Sequence, residues 1–146
     1  MLGRLARWLR LMGYDVAYER DIPDARLVSR SWKENRLILT RDSGLRRWTA
    51  QMVFVHSDRI EDQLRQVLRD CGLRRRPHRF YSRCSLCNTP LRSVPKAEIR
   101  DQVPAFTYRH HRRFARCPRC RKVYWLGSHA PLFRKDLRRG RGRQAN

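Results

Sequence analysis

Two Cys-x-x-Cys pairs, Cys84-Ser-Leu-Cys87 and Cys117-Pro-Arg-Cys120, limit what this chain can fold into more than any other feature. A Cys-x-x-Cys turn places two thiolates on one side of a tight loop, and two such turns complete a tetrahedron around Zn2+. Cys84, Cys87, Cys117 and Cys120 are therefore expected to ligate one structural zinc, with no coordination position left open for chemistry. The same four sulfurs also suit iron. A segment this small cannot stabilise itself by burial alone, so metal binding is expected to supply much of its folding energy. The insert between the pairs has room for a pair of strands or a short helix. The fifth cysteine, Cys71, ends an apolar helical face and reads as a small buried hydrophobe. His110 and His111 read as part of the polar insert, with no metal role.

The charge balance narrows the partners. Lys and Arg number 35 against 13 Asp and Glu, for a net charge of +22, and most of the cations are Arg. Arg grips phosphate with a planar fork and stacks on bases, whereas Lys is closer to a point charge. Such a chain binds polyanions by counterion release. No run of about 18 apolar residues is present, so no membrane span is expected. The basic N-terminus lacks the unbroken apolar core of a secretory signal, which points to the cytoplasm. Paired cysteines in that compartment indicate metal rather than disulfides.

The first segment, residues 1–73, alternates helical and strand-like patterns. Leu2, Leu5, Leu9 and Met12 recur at helical spacing, and Gly13 stands at the C-cap position. Asp15–Tyr18 reads as a short strand. Asp24 reads as the N-cap of a helix whose apolar face carries Ala25, Val28 and Trp32. Leu37–Thr40 and Met52–Val55 read as buried strands. Ile60, Leu64, Val67, Leu68 and Cys71 mark a last helix, capped by Asp58 and stopped by Gly72. Strands separated by helices predict an α/β fold with a parallel sheet. Residues 74–79 form a basic linker, 80–133 the zinc ribbon, and 134–146 a basic tail expected to be disordered.

Functional groups in open parallel sheets collect at the carboxyl ends of strands. Asp42 follows the Leu37–Thr40 strand directly, and Asp24 opens the helix before it. Two or more carboxylates so placed can hold Mg2+ or Mn2+ for phosphodiester cleavage. Both residues are equally natural as caps.

Several motifs occur together in order: Met1-Leu-Gly-Arg-Leu-Ala-Arg-Trp-Leu-Arg-Leu-Met-Gly-Tyr-Asp15, Leu37-Ile-Leu-Thr-Arg-Asp42, the two cysteine pairs, Val103-Pro-Ala-Phe106, and Val123-Tyr-Trp-Leu-Gly-Ser-His129. In this the chain resembles the family named for the C-terminal RNase domain of the Mut-seven exonuclease. The resemblance implies a PIN-like α/β half joined to a zinc ribbon, metal-dependent ribonuclease chemistry through Asp42 and Asp24, and an RNA partner. The alternative is a non-catalytic RNA-binding module, or one associated with a ribonucleoprotein particle. RNA contacts are expected from Arg4, Arg7 and Arg10 on the polar face of the first helix. Arg74, Arg75 and Arg76, then Arg112 and Arg113, and Arg134 and Lys135 in the tail should add to them, with Trp125 stacking on a base. Relatives usually open with an apolar strand ending in Asp. The sequence as given begins inside the next motif, and the expectation is a nuclease half without that strand and with little ribonuclease activity.

Overall fold

A computed structural model describes residues 2–74 and 76–125. The chain divides into two compact units. The first comprises residues 1–8 and 17–75, and the second residues 9–16 together with everything from Arg76 onward. The second unit therefore draws one strap, Leu9–Val16, from the N-terminal region.

Helix α1 (Gly3–Leu11) begins in the first unit and ends in the second. The rest of the first unit is α2 (Asp24–Lys33), β1 (Ile38–Thr40), a 3-10 turn (Ser43–Arg47), β2 (Met52–Phe54) and α3 (Ile60–Asp70). The strands pair in parallel, with Ile38 opposite Met52 and Thr40 opposite Phe54. Parallel partners need a crossover between them. Here it is the 3-10 turn, whose Leu45 is buried with Val28 of α2 and Ile38 of β1. Gln66 of α3 ties that helix to the end of β2: its amide nitrogen donates to the Phe54 carbonyl at 2.7 Å and its amide oxygen accepts from His56 N–H at 3.1 Å. The result is the expected mixed α/β arrangement, a small parallel sheet with flanking helices.

Two glycines stop helices as the sequence suggests. Gly13 and Gly72 have φ of +89° and +60°. Each is followed by the same pair of bonds, Gly13 N to Arg10 O with Tyr14 N to Leu9 O, and Gly72 N to Arg69 O with Leu73 N to Leu68 O. These are Schellman caps, which satisfy carbonyls left over at a helix end.

Other local expectations are corrected. Asp15–Tyr18 forms no strand; the Val16 N–H donates to the Asn88 side chain instead. Pro23, not Asp24, is the N-cap of α2, and Asp24 lies in the first turn, where a carboxylate suits the helix dipole. Of the predicted apolar face, Val28 is buried, but Ala25 is exposed and Trp32 is 59% exposed. The buried neighbour is Ser31, whose hydroxyl donates to the Arg36 carbonyl. Asp58 does not cap α3. It pairs with Arg41, while the Ser57 hydroxyl accepts from Arg59 N–H.

The second unit contains β3 (Arg92–Val94), a 3-10 segment (Lys96–Gln102), α4 (Ala105–His110), β4 (Phe114–Arg116) and β5 (Val123–Trp125). Its three strands form an antiparallel sheet in the order β3-β4-β5. Two small cores support it. One gathers Tyr81, Cys84, Cys117 and Tyr124; the other gathers Ile99, Val103 and Phe114, with Tyr108 and Trp125 packed against it. In the expected linker, Pro77–Arg79 makes a single 3-10 turn. The predicted contacts Arg75, Arg134 and Lys135, the Gly127–His129 motif, residues 126–133 of the expected ribbon and the tail 134–146 lie outside the described residues.

Candidate metal centre

The two cysteine turns are built alike. In the first, Cys84 N–H donates to the Thr89 carbonyl and Asn88 N–H to the Cys84 carbonyl; in the second, Cys117 N–H donates to Lys122 and Arg121 N–H to Cys117. The residue after each pair, Asn88 or Arg121, has a φ of +67° or +65°. That left-handed step turns the chain so that both sulfurs of a pair point the same way. The second turn joins β4 to β5, so the sheet holds it in place.

The four Sγ atoms lie within 4.8 Å of one another, with Cys84–Cys120 at 3.5 Å and Cys87–Cys117 at 3.4 Å. These separations are far beyond the roughly 2.05 Å of a disulfide. A tetrahedron with Zn–S bonds of about 2.3 Å has edges of about 3.8 Å, within the observed spread. The cluster could thus hold a metal ion, and all four expected ligands are in it.

The electrostatics suit a cation. Burial pushes the Cys87 thiol up, but hydrogen bonds with Thr89, Cys117 and Cys84 outweigh it and bring it down to about 6. At Cys120 a backbone hydrogen bond with Lys122 pulls the thiol down, yet desolvation and the three neighbouring sulfurs push it up to about 12. Four adjacent thiolates repel one another, and a dication among them lets all four ionise. Tyr124 supports the centre from behind. Its hydroxyl lies 3.1 Å from Cys84 Sγ and accepts from Ser85 N–H at 3.1 Å. Burial first, then the Cys84 sulfur, hold this phenol above its ordinary value, so it stays protonated and able to donate.

Arg10 is the largest departure from the sequence reading. It is buried, not on a polar face. Its Nε donates to the Val16 carbonyl at 2.8 Å, and its Nη1 donates to the carbonyls of Ser85 and Leu86 at 3.2 and 2.7 Å. Those last two are the residues between the first pair of cysteines. Buried carbonyls need partners, and a guanidinium that supplies them is not free to grip phosphate. Asn88 adds a bond to Asp15 at 2.6 Å. Neither the Arg10 contact nor the Tyr124 bond has a local sequence signal, because the partners are 75 and 40 residues away.

The other predicted residues are placed as follows. Arg4 and Arg7 are exposed, as are Arg74, Arg76, Arg112 and Arg113. Trp125 is half-buried against the Ile99 core, its ring tilted toward His111. Asp42 stands at the carboxyl end of β1, where its carboxylate accepts from Gly44 N–H at 2.8 Å and caps the 3-10 turn. Asp24 accepts from Arg47 at 3.3 Å. Among the described residues the four cysteines are the one group of three or more Cys, His, Asp or Glu that could hold a metal. Asp24 and Asp42 are not brought into such a group. Cys71 is half-buried, and burial raises its thiol.

The fold and the centre define a mixed α/β protein carrying a four-cysteine cluster that could hold a metal ion. The chain belongs to the Mut7-C RNAse domain family, whose model matches residues 1–137. No curated protein and no solved structure gave a match.

Proposed function

We propose that the chain is an RNA-binding protein organised around one structural zinc, with RNA held mainly by the unit that contains the ribbon. The observation that carries this is the distribution of charge. Among the described residues the first unit has fourteen Lys and Arg against nine Asp and Glu; the second has fourteen against three. The excess cations therefore collect where the metal centre is, and the family's RNase designation supplies the polymer class. Clustered free thiols also fit a reducing compartment, the cytoplasm, and a ribonucleoprotein particle would offer such RNA. No helix among the described residues is long and apolar enough to cross a membrane.

The test is a titration with single-stranded RNA at several salt concentrations. Each neutralised phosphate contributes a slope of roughly −0.7 in log K against log salt. Reversing the charge of Arg112 and Arg113 together should flatten the slope and weaken binding. A flat dependence in the unaltered protein refutes the reading.

A second reading is metal-dependent cleavage through Asp42 and Asp24. The strand-end position of Asp42 favours it. Against it, each carboxylate already has a partner, Gly44 N–H or Arg47, and a divalent cation needs several converging oxygens. Binding without cleavage is the reading the geometry supports better. Robust cleavage in Mg2+ or Mn2+ that disappears in Asp42→Asn would reverse that order.

A further inference from the structure

We propose that Phe106, backed by His110, is a stacking platform for an unpaired base of a bound single strand; this rests on the RNA-binding reading above. Phe106 is 67% exposed, more than any other large hydrophobic residue among those described. A lone exposed phenylalanine needs no explanation. This one is held in place. The His110 ring stacks on it with centroids 4.0 Å apart and planes 27° from parallel. His110 is itself fixed, its Nδ1 lying 2.8 Å from the Phe106 carbonyl oxygen. The helix that carries both is pinned from the other side, where Thr107 is buried and Tyr108 packs against the Ile99, Val103 and Phe114 core. A ring so restrained loses little freedom on binding.

The surroundings select the ligand. Arg109, Arg112 and Arg113 are exposed, and among the described residues no carboxylate pairs with them. From Gln102 to Lys135 the sequence has nine Lys and Arg and no Asp or Glu. An aromatic face flanked by Arg109, Arg112 and Arg113 suits a ligand that is both anionic and planar. Bases in a duplex are covered by their neighbours, so an offered ring face takes an unpaired one. The motif Val103-Pro-Ala-Phe106 then has a clear division of labour: Val103 is buried in the core, and Phe106 points outward.

Fluorescence anisotropy with a labelled 12-nucleotide oligouridine and a duplex RNA of the same length tests this. Phe106→Ala should weaken the single strand roughly ten-fold at fixed salt. It should leave the salt slope, the zinc content and duplex affinity unchanged, and Phe106→Trp should retain tight binding. Unchanged single-strand affinity in Phe106→Ala, with steep salt dependence intact, overturns the platform and leaves the RNA reading standing. Equal losses on single strand and duplex overturn it too, as does a loss confined to a polyglutamate probe, which would assign the ring to an acidic protein. If the unaltered protein binds neither RNA even at low salt, the RNA-binding reading itself fails.

Discussion

In the first unit, two short parallel strands are closed over by Val28, Ile38 and Leu45, and α3 adds buried Leu64 and Val67. In the second, the corresponding place is taken by Cys84 and Cys117, fully buried between Tyr81 and Tyr124. One unit buries hydrocarbon; the other sets beside its Ile99, Val103 and Phe114 core a sulfur cluster that could hold a cation. The two also differ in charge: the unit with the sulfur cluster has the larger cation excess. Self-repulsion among those cations opposes compaction, and a metal-bound centre is a compact way to offset it.

The largest expected effect separates the units by metal. Structural zinc in small domains contributes about 10–16 kcal/mol of apparent binding free energy. A strong chelator, or Cys117→Ser, should therefore abolish amide protection in β4 and β5 while leaving α3 protected. Peptide-resolved hydrogen exchange reads this directly, and equal protection loss in both units would erase the distinction. Next comes Arg10. Arg10→Met leaves three carbonyls without their donor, and bonds from charged groups contribute about 1.5–3 kcal/mol each. Bonds made by one guanidinium are not additive, so a loss of about 3 kcal/mol is expected, and it should appear in the ribbon although the substitution lies in α1. Uniform loosening, or none, would show that the strap does not support the cysteine turn.

Glycine substitution sharpens the same contrast. A Cβ on Gly13 would lie 2.5 Å from the Arg79 carbonyl, whereas one on Gly72 would meet nothing within 4 Å. Both positions carry the left-handed penalty of about 1–2 kcal/mol. Gly72→Ala should cost about that, and Gly13→Ala clearly more, by urea denaturation with zinc held constant. The smallest effect compares the two cysteine turns. Arg121→Gly relieves a left-handed residue and should stabilise by at most about 1 kcal/mol. Asn88→Gly should destabilise, because it also removes the bonds to Asp15 and Val16. If both substitutions shift the melting temperature in the same direction, the turns are not distinguished by those side-chain bonds.

What could be read from sequence follows the range of the interaction. Cysteine turns, both Schellman glycines, α3 and the two parallel strands are specified by residues a few positions apart, and they appear where periodicity and turn chemistry place them. Asp15–Tyr18 has the pattern of a strand but is not one, because its partner, Asn88, is more than seventy residues away. Arg10 differs from its pattern for the same reason: helical spacing with Arg4 and Arg7 suggests solvent, and only the carbonyls of Ser85 and Leu86 show otherwise. Asp42 is instructive in another way. Capping and catalysis ask for the same residue at the same strand end, and no local pattern separates them.

The strap has a consequence for synthesis. Leu9–Val16 leaves the ribosome well before Ser85, which accepts from Arg10 and is 75 residues further on. At translation rates of about 5–20 residues per second, roughly 4 to 15 s pass before that partner exists. Until Ser85 and Leu86 have been made, Arg10 lacks two of the carbonyls it serves in the finished protein. A messenger truncated before Cys84 would yield a product with neither cysteine pair.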